Sequence, residues 1–232
     1  MQDQWLNDCC QNNSDFIKNK IRAVVLLFHG LGGGVCKSLL QYELALAEQD
    51  ILTIEPYYGP WCWMNRQARL FVDEIVERTW REFKLDESTR LFSTGLSMGG
   101  LAALLYCRYG KRPPVGCDVL YPVCDAVYHY RERPDVSTSM NAAFYGYSEP
   151  FETVLEEHSP LHQIEAMPDI PYQFIHGNND QAVNILHSDK MVAALREKGC
   201  QVEYLTIDGM GHGINVPLSV WQKRVDFITA RV

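Results

Sequence analysis

The sequence predicts an α/β fold: a mostly parallel sheet of about six strands, helices on both faces and a small lid insertion. Three observations carry this expectation. Short apolar runs rich in β-branched residues alternate with segments of helical period along the 232 residues. Glycine clusters stand directly after two of those runs, at 30–34 and 95–100. Residues 125–164 leave the rhythm and are aromatic, charged and irregular, too long a stretch for a simple connection.

The elements follow in order. Residues 21–28 (IRAVVLLF) form a run of the kind a buried parallel strand needs. A helix is expected over 35–49, with Leu40, Leu44 and Ala47 on one side. Residues 51–55 make the next strand, stopped by Pro56. The clearest helical period lies in 64–83, where Ala68, Phe71, Val72, Ile75, Val76 and Thr79 line one face. Asp73, Glu77, Arg78 and Arg81 fall opposite. A strand at 90–94 leads into a helix over 98–109, closed by Gly110 with Pro113 beyond. Strands at 115–121, 172–175 and 202–207 complete the sheet. A helix over 184–198 ends at Gly199, and a closing helix starts near Pro217, a favoured first-turn residue.

Composition bounds the function. Apolar residues make up 47% and charged residues 22%, ordinary values for a globular chain, so a single α/β domain over 1–232 with its lid at 125–164 is expected. A net charge of -8 argues against nucleic acid as a partner, because binding phosphates needs a basic face. The first nineteen residues are polar and carry Asp3, Asp8 and Asp15, unlike a secretory leader. No apolar run approaches the ~20 residues of a membrane span. A cytoplasmic location without a membrane partner is therefore expected. The eight cysteines lack a C-x-x-C pair with matching ligands, which predicts reduced thiols and no metal site.

The chemistry is concentrated at Gly95-Leu96-Ser97-Met98-Gly99-Gly100. A serine between glycines at a strand-to-helix junction sits on a turn so tight that flanking side chains would collide. Its Oγ then points out of the sheet as a nucleophile. The bland alternative is a serine that merely caps the helix. His212, in Gly211-His212-Gly213, is the candidate base, and Asp180, after the strand at 172–175, is the acid that would orient it. Asp125 and Asp208 are rival acids; Asp208 is too near His212 in sequence to face its ring. The amide of Met98, at a helix N-terminus, is one candidate oxyanion donor. The second comes from the turn after His29-Gly30, from the N–H of Leu31 or of Gly32. His29 and His176 read as organisers of their loops.

These motifs resemble the α/β-hydrolase family over nearly the whole chain, from about Ile21 to Val232. Gly95-Leu96-Ser97-Met98-Gly99 matches its nucleophile elbow, and His29-Gly30 with the glycines after it looks like its oxyanion turn, interrupted by Leu31. The stretch from Ser159-Pro160-Leu161 through His176-Gly177-Asn178-Asn179-Asp180 is similar to compact esterases and to catalytic domains of the prolyl-oligopeptidase type. The resemblance implies a serine hydrolase that needs no cofactor or metal. No propeller is expected ahead of the domain, and the strand pair that usually opens the family's sheet looks shortened or missing.

Two aromatic segments are candidate walls of the cleft: Trp61 and Trp63 after the second strand, and Tyr145 in the lid. Exposed rings suit flat or apolar acyl groups. The preferred substrate is a small-molecule ester of a small aromatic or short aliphatic acid, with a short-peptide or amide bond as the alternative. A reading from another class is a dinucleotide-binding oxidoreductase, based on Gly30-Leu31-Gly32 after a strand and Glu55 at the end of the next. Val35 stands there where that fingerprint needs its third glycine.

Overall fold

The computed structural model describes residues 3–34, 38–213 and 216–232. A short helix α1 (Gln4–Cys9) runs into a three-residue strand β1 (Cys10–Asn12), followed by β2 (Ala23–Phe28). Helix α2 covers Gln41–Ala47, so only the second half of the helix expected over 35–49 is seen as helix; Val35, Cys36 and Lys37 lie outside the described residues. Then come β3 (Ile51–Pro56), α3 (Arg66–Glu82), β4 (Arg90–Leu96), α4 (Met98–Tyr109) and β5 (Gly116–Leu120).

Residues 125–164 fold as three helices, α5 (Ala126–Glu132), α6 (Pro134–Ala143) and α7 (Phe151–Glu157), with a 3-10 segment at Pro160–Ala166. The chain closes with β6 (Tyr172–Gly177), α8 (Leu186–Glu197), β7 (Val202–Ile207) and α9 (Leu218–Thr229).

Among the described residues the sheet has seven strands in the order β1-β3-β2-β4-β5-β6-β7, one more than expected. The extra strand, β1, pairs antiparallel with the end of β3, Cys10 facing Pro56 and Asn12 facing Ile54. All other pairings are parallel. Cys-Gln-Asn has no apolar alternation to announce a strand; the edge of β3 and tertiary bonds hold it. Buried Asn13 donates to the carbonyls of Glu43 and Ile51 and accepts from the Thr53 N–H, which ties the opening segment to α2 and β3.

The two-residue period of β2 divides its side chains between the two faces. Val24, Leu26 and Phe28 join the large core on the side of α3 and α4. Ala23 and Val25 meet Tyr42 and Leu46 of α2 and Val225, Phe227 and Ile228 of α9 on the other side. Helix α4 is buried from Met98 to Cys107, as a helix packed between the sheet and the inserted segment must be. Asp73, expected on the outer face of α3, is buried instead and accepts from the Lys111 N–H at 3.0 Å.

A buried ion pair braces the sheet beneath the functional end. Arg224 of α9 donates through Nε to Asp118 Oδ2 of β5 at 2.6 Å, and both reach Thr94 of β4. Asp118→Ala strands a buried guanidinium, so a stability loss of ~3–5 kcal/mol is expected in chemical denaturation. A change below about 1 kcal/mol would mean that the arginine finds water or another partner.

The seven cysteines among the described residues are unpaired. No helix among the described residues is long and apolar enough to cross a membrane.

Candidate active site

Ser97 joins β4 to α4 with φ 57° and ψ -124°, a conformation that L-residues avoid unless the surroundings impose it. The surroundings here are backbone. The Ser97 N–H donates to the Leu120 carbonyl at 3.1 Å, and the Ser97 carbonyl accepts from Val123 at 3.2 Å. A Cβ on Gly95 would lie 2.1 Å from the Gly99 carbonyl oxygen, and one on Gly99 would lie 2.2 Å from that of Phe28. Both glycines are thus required by close approach, as the motif predicts. The Ser97 side chain makes no capping bond to α4, which removes the reading of Ser97 as a helix cap.

Its Oγ instead lies 3.1 Å from His212 Nε2, and His212 Nδ1 lies 2.7 Å from Asp180 Oδ2. Residues from three separate loops, up to 115 positions apart, therefore form one hydrogen-bonded chain. Burial alone would raise the Asp180 carboxyl, but bonds from His176, His212 and the Val183 N–H hold it well below the usual carboxylate range. The second oxygen, Oδ1, accepts from the Ala182 and Val183 N–H groups at 2.8 and 2.9 Å. An ionised acid with its lone pairs occupied accepts the His212 Nδ1–H and leaves Nε2 as the acceptor toward Ser97.

The rival acids lie elsewhere. Asp125 caps α5 by accepting from the Tyr128 N–H, and Asp208 accepts from Asn178 Nδ2. His176 is fully buried under the acid loop, bonded to Ser188 Oγ and the Val183 carbonyl. His29 stacks on Tyr58, whose hydroxyl donates to the His29 carbonyl. Each histidine organises its loop without touching Ser97.

In the turn after His29-Gly30 the two candidate amides differ. The Gly32 N–H is engaged by the Pro60 carbonyl at 2.7 Å and is therefore not a free donor. The Leu31 N–H has no backbone partner among the described residues, and Leu31 lines the cleft beside Ser97. Met98 supplies the first amide of α4, which by helix geometry has no intrahelical acceptor.

The cleft holds about 260 Å³ and is lined on one side by Gly30, Leu31, Leu96 and Tyr121, on the other by His129, Arg133 and Val136 of the inserted helices. Trp63 also lines it; its ring is 1% exposed and its Nε1 donates to Ser139 Oγ at 2.9 Å. The structure does not bring Trp61 or Tyr145 to the cleft. Trp61 is 56% exposed near Gly32, and Tyr145 is 90% exposed in the turn after α6. Aromatic clustering in sequence cannot tell which ring turns inward; here Trp63 does so on a backbone with φ 50°. Trp63→Ala is accordingly expected to cost ~3–5 kcal/mol of stability. Tyr145→Ala stays within about 0.5 kcal/mol in thermal melts.

Sequence reasoning missed Tyr121. Its ring packs 4.3 Å from that of His212, and its hydroxyl donates to the Gly213 carbonyl at 2.8 Å. Burial pushes the phenol up to about 12, so it remains a donor and pins the base loop. The signal available was its place directly after β5, the strand beside the elbow.

The model of the prolyl oligopeptidase family matches residues 74–230, about two thirds of the chain and all three members of the hydrogen-bonded chain. No curated protein matches by sequence. Among solved structures, an acylaminoacyl peptidase of Pyrococcus horikoshii superimposes with a TM-score of 0.77 at 13% identity, over 95% of this chain and 38% of that one. A puromycin-hydrolyzing peptidase of Mycobacterium tuberculosis gives 0.71 at 20% identity, over 90% of this chain and 34% of that one. A truncated carbohydrate esterase from gut microbiota gives 0.72 at 14% identity, over 92% of this chain and 87% of that one. The chain thus spans little more than a third of the two peptidases' length. A dinucleotide-binding reading has no support in this set, and α2 begins at Gln41 rather than on the Gly30-Leu31-Gly32 turn that would have to present phosphates to it. By its sequence match and by its fold, the chain belongs to the prolyl oligopeptidase family of serine hydrolases, within the α/β-hydrolase superfamily.

Proposed function

We propose that the protein hydrolyses carboxylic esters of small aromatic or short aliphatic acids through an acyl-enzyme on Ser97. The observation that carries the reading is the bonded chain from Ser97 Oγ through His212 to Asp180 Oδ2. As Oγ attacks the ester carbonyl, His212 Nε2 takes its proton, and the carbonyl oxygen becomes an anion facing the amides of Met98 and Leu31. Collapse of that intermediate expels the alcohol, which leaves with the proton from His212. A water molecule then repeats the sequence on the acyl-enzyme and releases the acid.

Ester rather than peptide cleavage is favoured by the small, mostly apolar cleft, one wall of which comes from α5 and α6. A carbohydrate esterase is among the solved structures that share this chain's fold, beside the peptidases. Amide hydrolysis of short peptides is the second reading, favoured by the family to which the chain belongs.

A fluorophosphonate probe is expected to label the wild type at Ser97 and to leave Ser97→Ala unlabelled. A panel of p-nitrophenyl and hydroxycinnamoyl esters, run against aminoacyl p-nitroanilides, then separates the two substrate classes. Faster turnover of the anilides would overturn the ester assignment. Backbone amides meet the oxyanion's charge without a metal. Activity is therefore expected to survive exhaustive dialysis against EDTA, and a loss restored by a divalent ion would contradict this.

A further inference from the structure

One buried polar cluster lies beside the cleft and takes no part in the steps above. Glu132 Oε1 lies 3.0 Å from His129 Nδ1 and 3.0 Å from His187 Nε2. The three side chains could offer ligand atoms to a cation, all within 4.8 Å of one another. The hydrogen bonds behind them exclude that use. His187 Nδ1 faces the backbone N–H groups of Cys124 and Asp125 at 3.3 and 3.2 Å, so it is an acceptor. A neutral ring that accepts on Nδ1 carries its proton on Nε2, and Nε2 then has no lone pair for a metal.

The same reasoning fixes His129. The His129 and His187 bonds hold the Glu132 carboxyl far below the usual range against a burial effect that alone would raise it. An ionised Glu132 only accepts, so His129 carries its proton on Nδ1. Its Nε2 keeps a lone pair and has no partner among the described residues, yet it is not among the buried unpartnered atoms. His129 lines the cleft that Ser97 and His212 also line. Burial lowers its pKa, so the ring is neutral at pH 7. Its neighbours on the wall are Trp63, whose N–H is already given to Ser139, and Val136 and Val183. Arg133 also lines the wall, with its guanidinium bonded to Asp135 and the Ala182 carbonyl.

We propose that His129 is a specificity-determining residue whose Nε2 accepts a hydrogen bond from an O–H or N–H donor on the substrate. The preferred substrate is then an apolar group bearing one such donor, and Glu132 and His187 are positioning residues that fix the ring's tautomer. This rests on the reading of Ser97 as the nucleophile of an esterase.

The test uses matched p-nitrophenyl esters that differ only in the donor. One pair is 3-(4-hydroxyphenyl)propanoyl against 3-phenylpropanoyl; the other is N-acetylglycyl against N-acetylsarcosyl, which replaces the N–H by N–CH3. In the wild type the donor member of at least one pair is expected to show a kcat/KM about tenfold higher or more, since a partner without the donor would cover the Nε2 lone pair and leave it unmet. Which pair responds tells a hydroxyl from an amide donor. His129→Phe should bring that ratio close to one. Glu132→Gln, which frees the ring to move its proton to Nε2, should cut the ratio several-fold and serves if His129→Phe does not fold. A wild-type ratio near one in both pairs, or a ratio undiminished in a folded variant, overturns the proposal. Failure of the wild type to hydrolyse p-nitrophenyl acetate at all would instead sink the esterase reading.

Discussion

Replacing Ser97 by Ala, or His212 by Ala, is expected to lower kcat on a simple ester by roughly four or more orders of magnitude. The double variant should be little worse than either single one. The reason is the shared proton path: His212 Nε2 is 3.1 Å from Ser97 Oγ, and acylation passes the hydroxyl proton through this contact. Once the hydroxyl is gone the imidazole has no proton to take, and once the imidazole is gone the hydroxyl is a weak nucleophile. What remains is binding and the oxyanion donors, which neither change removes. Because Ser97 makes no capping bond to α4, its truncation should leave the melting temperature nearly unchanged. Steady-state kinetics with a thermal melt on each variant measure both parts. Losses that multiply in the double variant would mean that the two residues act independently.

Asp180→Asn is the second large effect, roughly 10⁴-fold in kcat. Asp180 Oδ2 accepts from His212 Nδ1 at 2.7 Å, and an asparagine that turns its amide toward the ring would offer it a donor instead. His212 then carries its proton on Nε2 and cannot receive one from Ser97. Unlike Ser97→Ala, this change also disturbs the fold. Oδ1 holds the Ala182 and Val183 amides, and burial surrounds the side chain. The depressed carboxyl contributes stability that is present above the unfolded-state pKa of about 3.9 and is lost as pH falls through the lower folded value. The stability gap between wild type and Asp180→Asn should therefore be fully open at pH 6 and narrow on acidification below about pH 4. Asp125→Asn, which touches the cap of α5 and the contact with His162 but no member of the Ser97–His212–Asp180 chain, is expected to reduce kcat mildly. A reversal of the two rates would reassign the acid.

Much of this was legible because a parallel sheet writes its functional end in a few residues. The elbow glycines announce themselves, since the backbone of β2 and of α4 leaves no room for a Cβ at 95 or 99. Asp180 and His212 follow strands of the expected kind at the expected end. Elements whose stability comes from partners were harder to see. β1 is Cys-Gln-Asn held by β3 and Asn13, and Asp73 is drawn inward by the Lys111 amide. The walls of the cleft were the least legible. Trp61 and Trp63 are two positions apart, yet one is exposed and the other is buried against α6. His129, Glu132 and His187 come from α5 and α8, and nothing in their spacing shows that they meet across a crossover.

The central claim, that Ser97 becomes acylated during turnover, is open to direct observation. The wild type is mixed with excess p-nitrophenyl ester, quenched in acid within one turnover, digested and examined by mass spectrometry. The account predicts a mass increase of one acyl group on the peptide containing Ser97, absent from Ser97→Ala. An acyl group on any other residue, or ester turnover at the wild-type rate by Ser97→Ala, would contradict it.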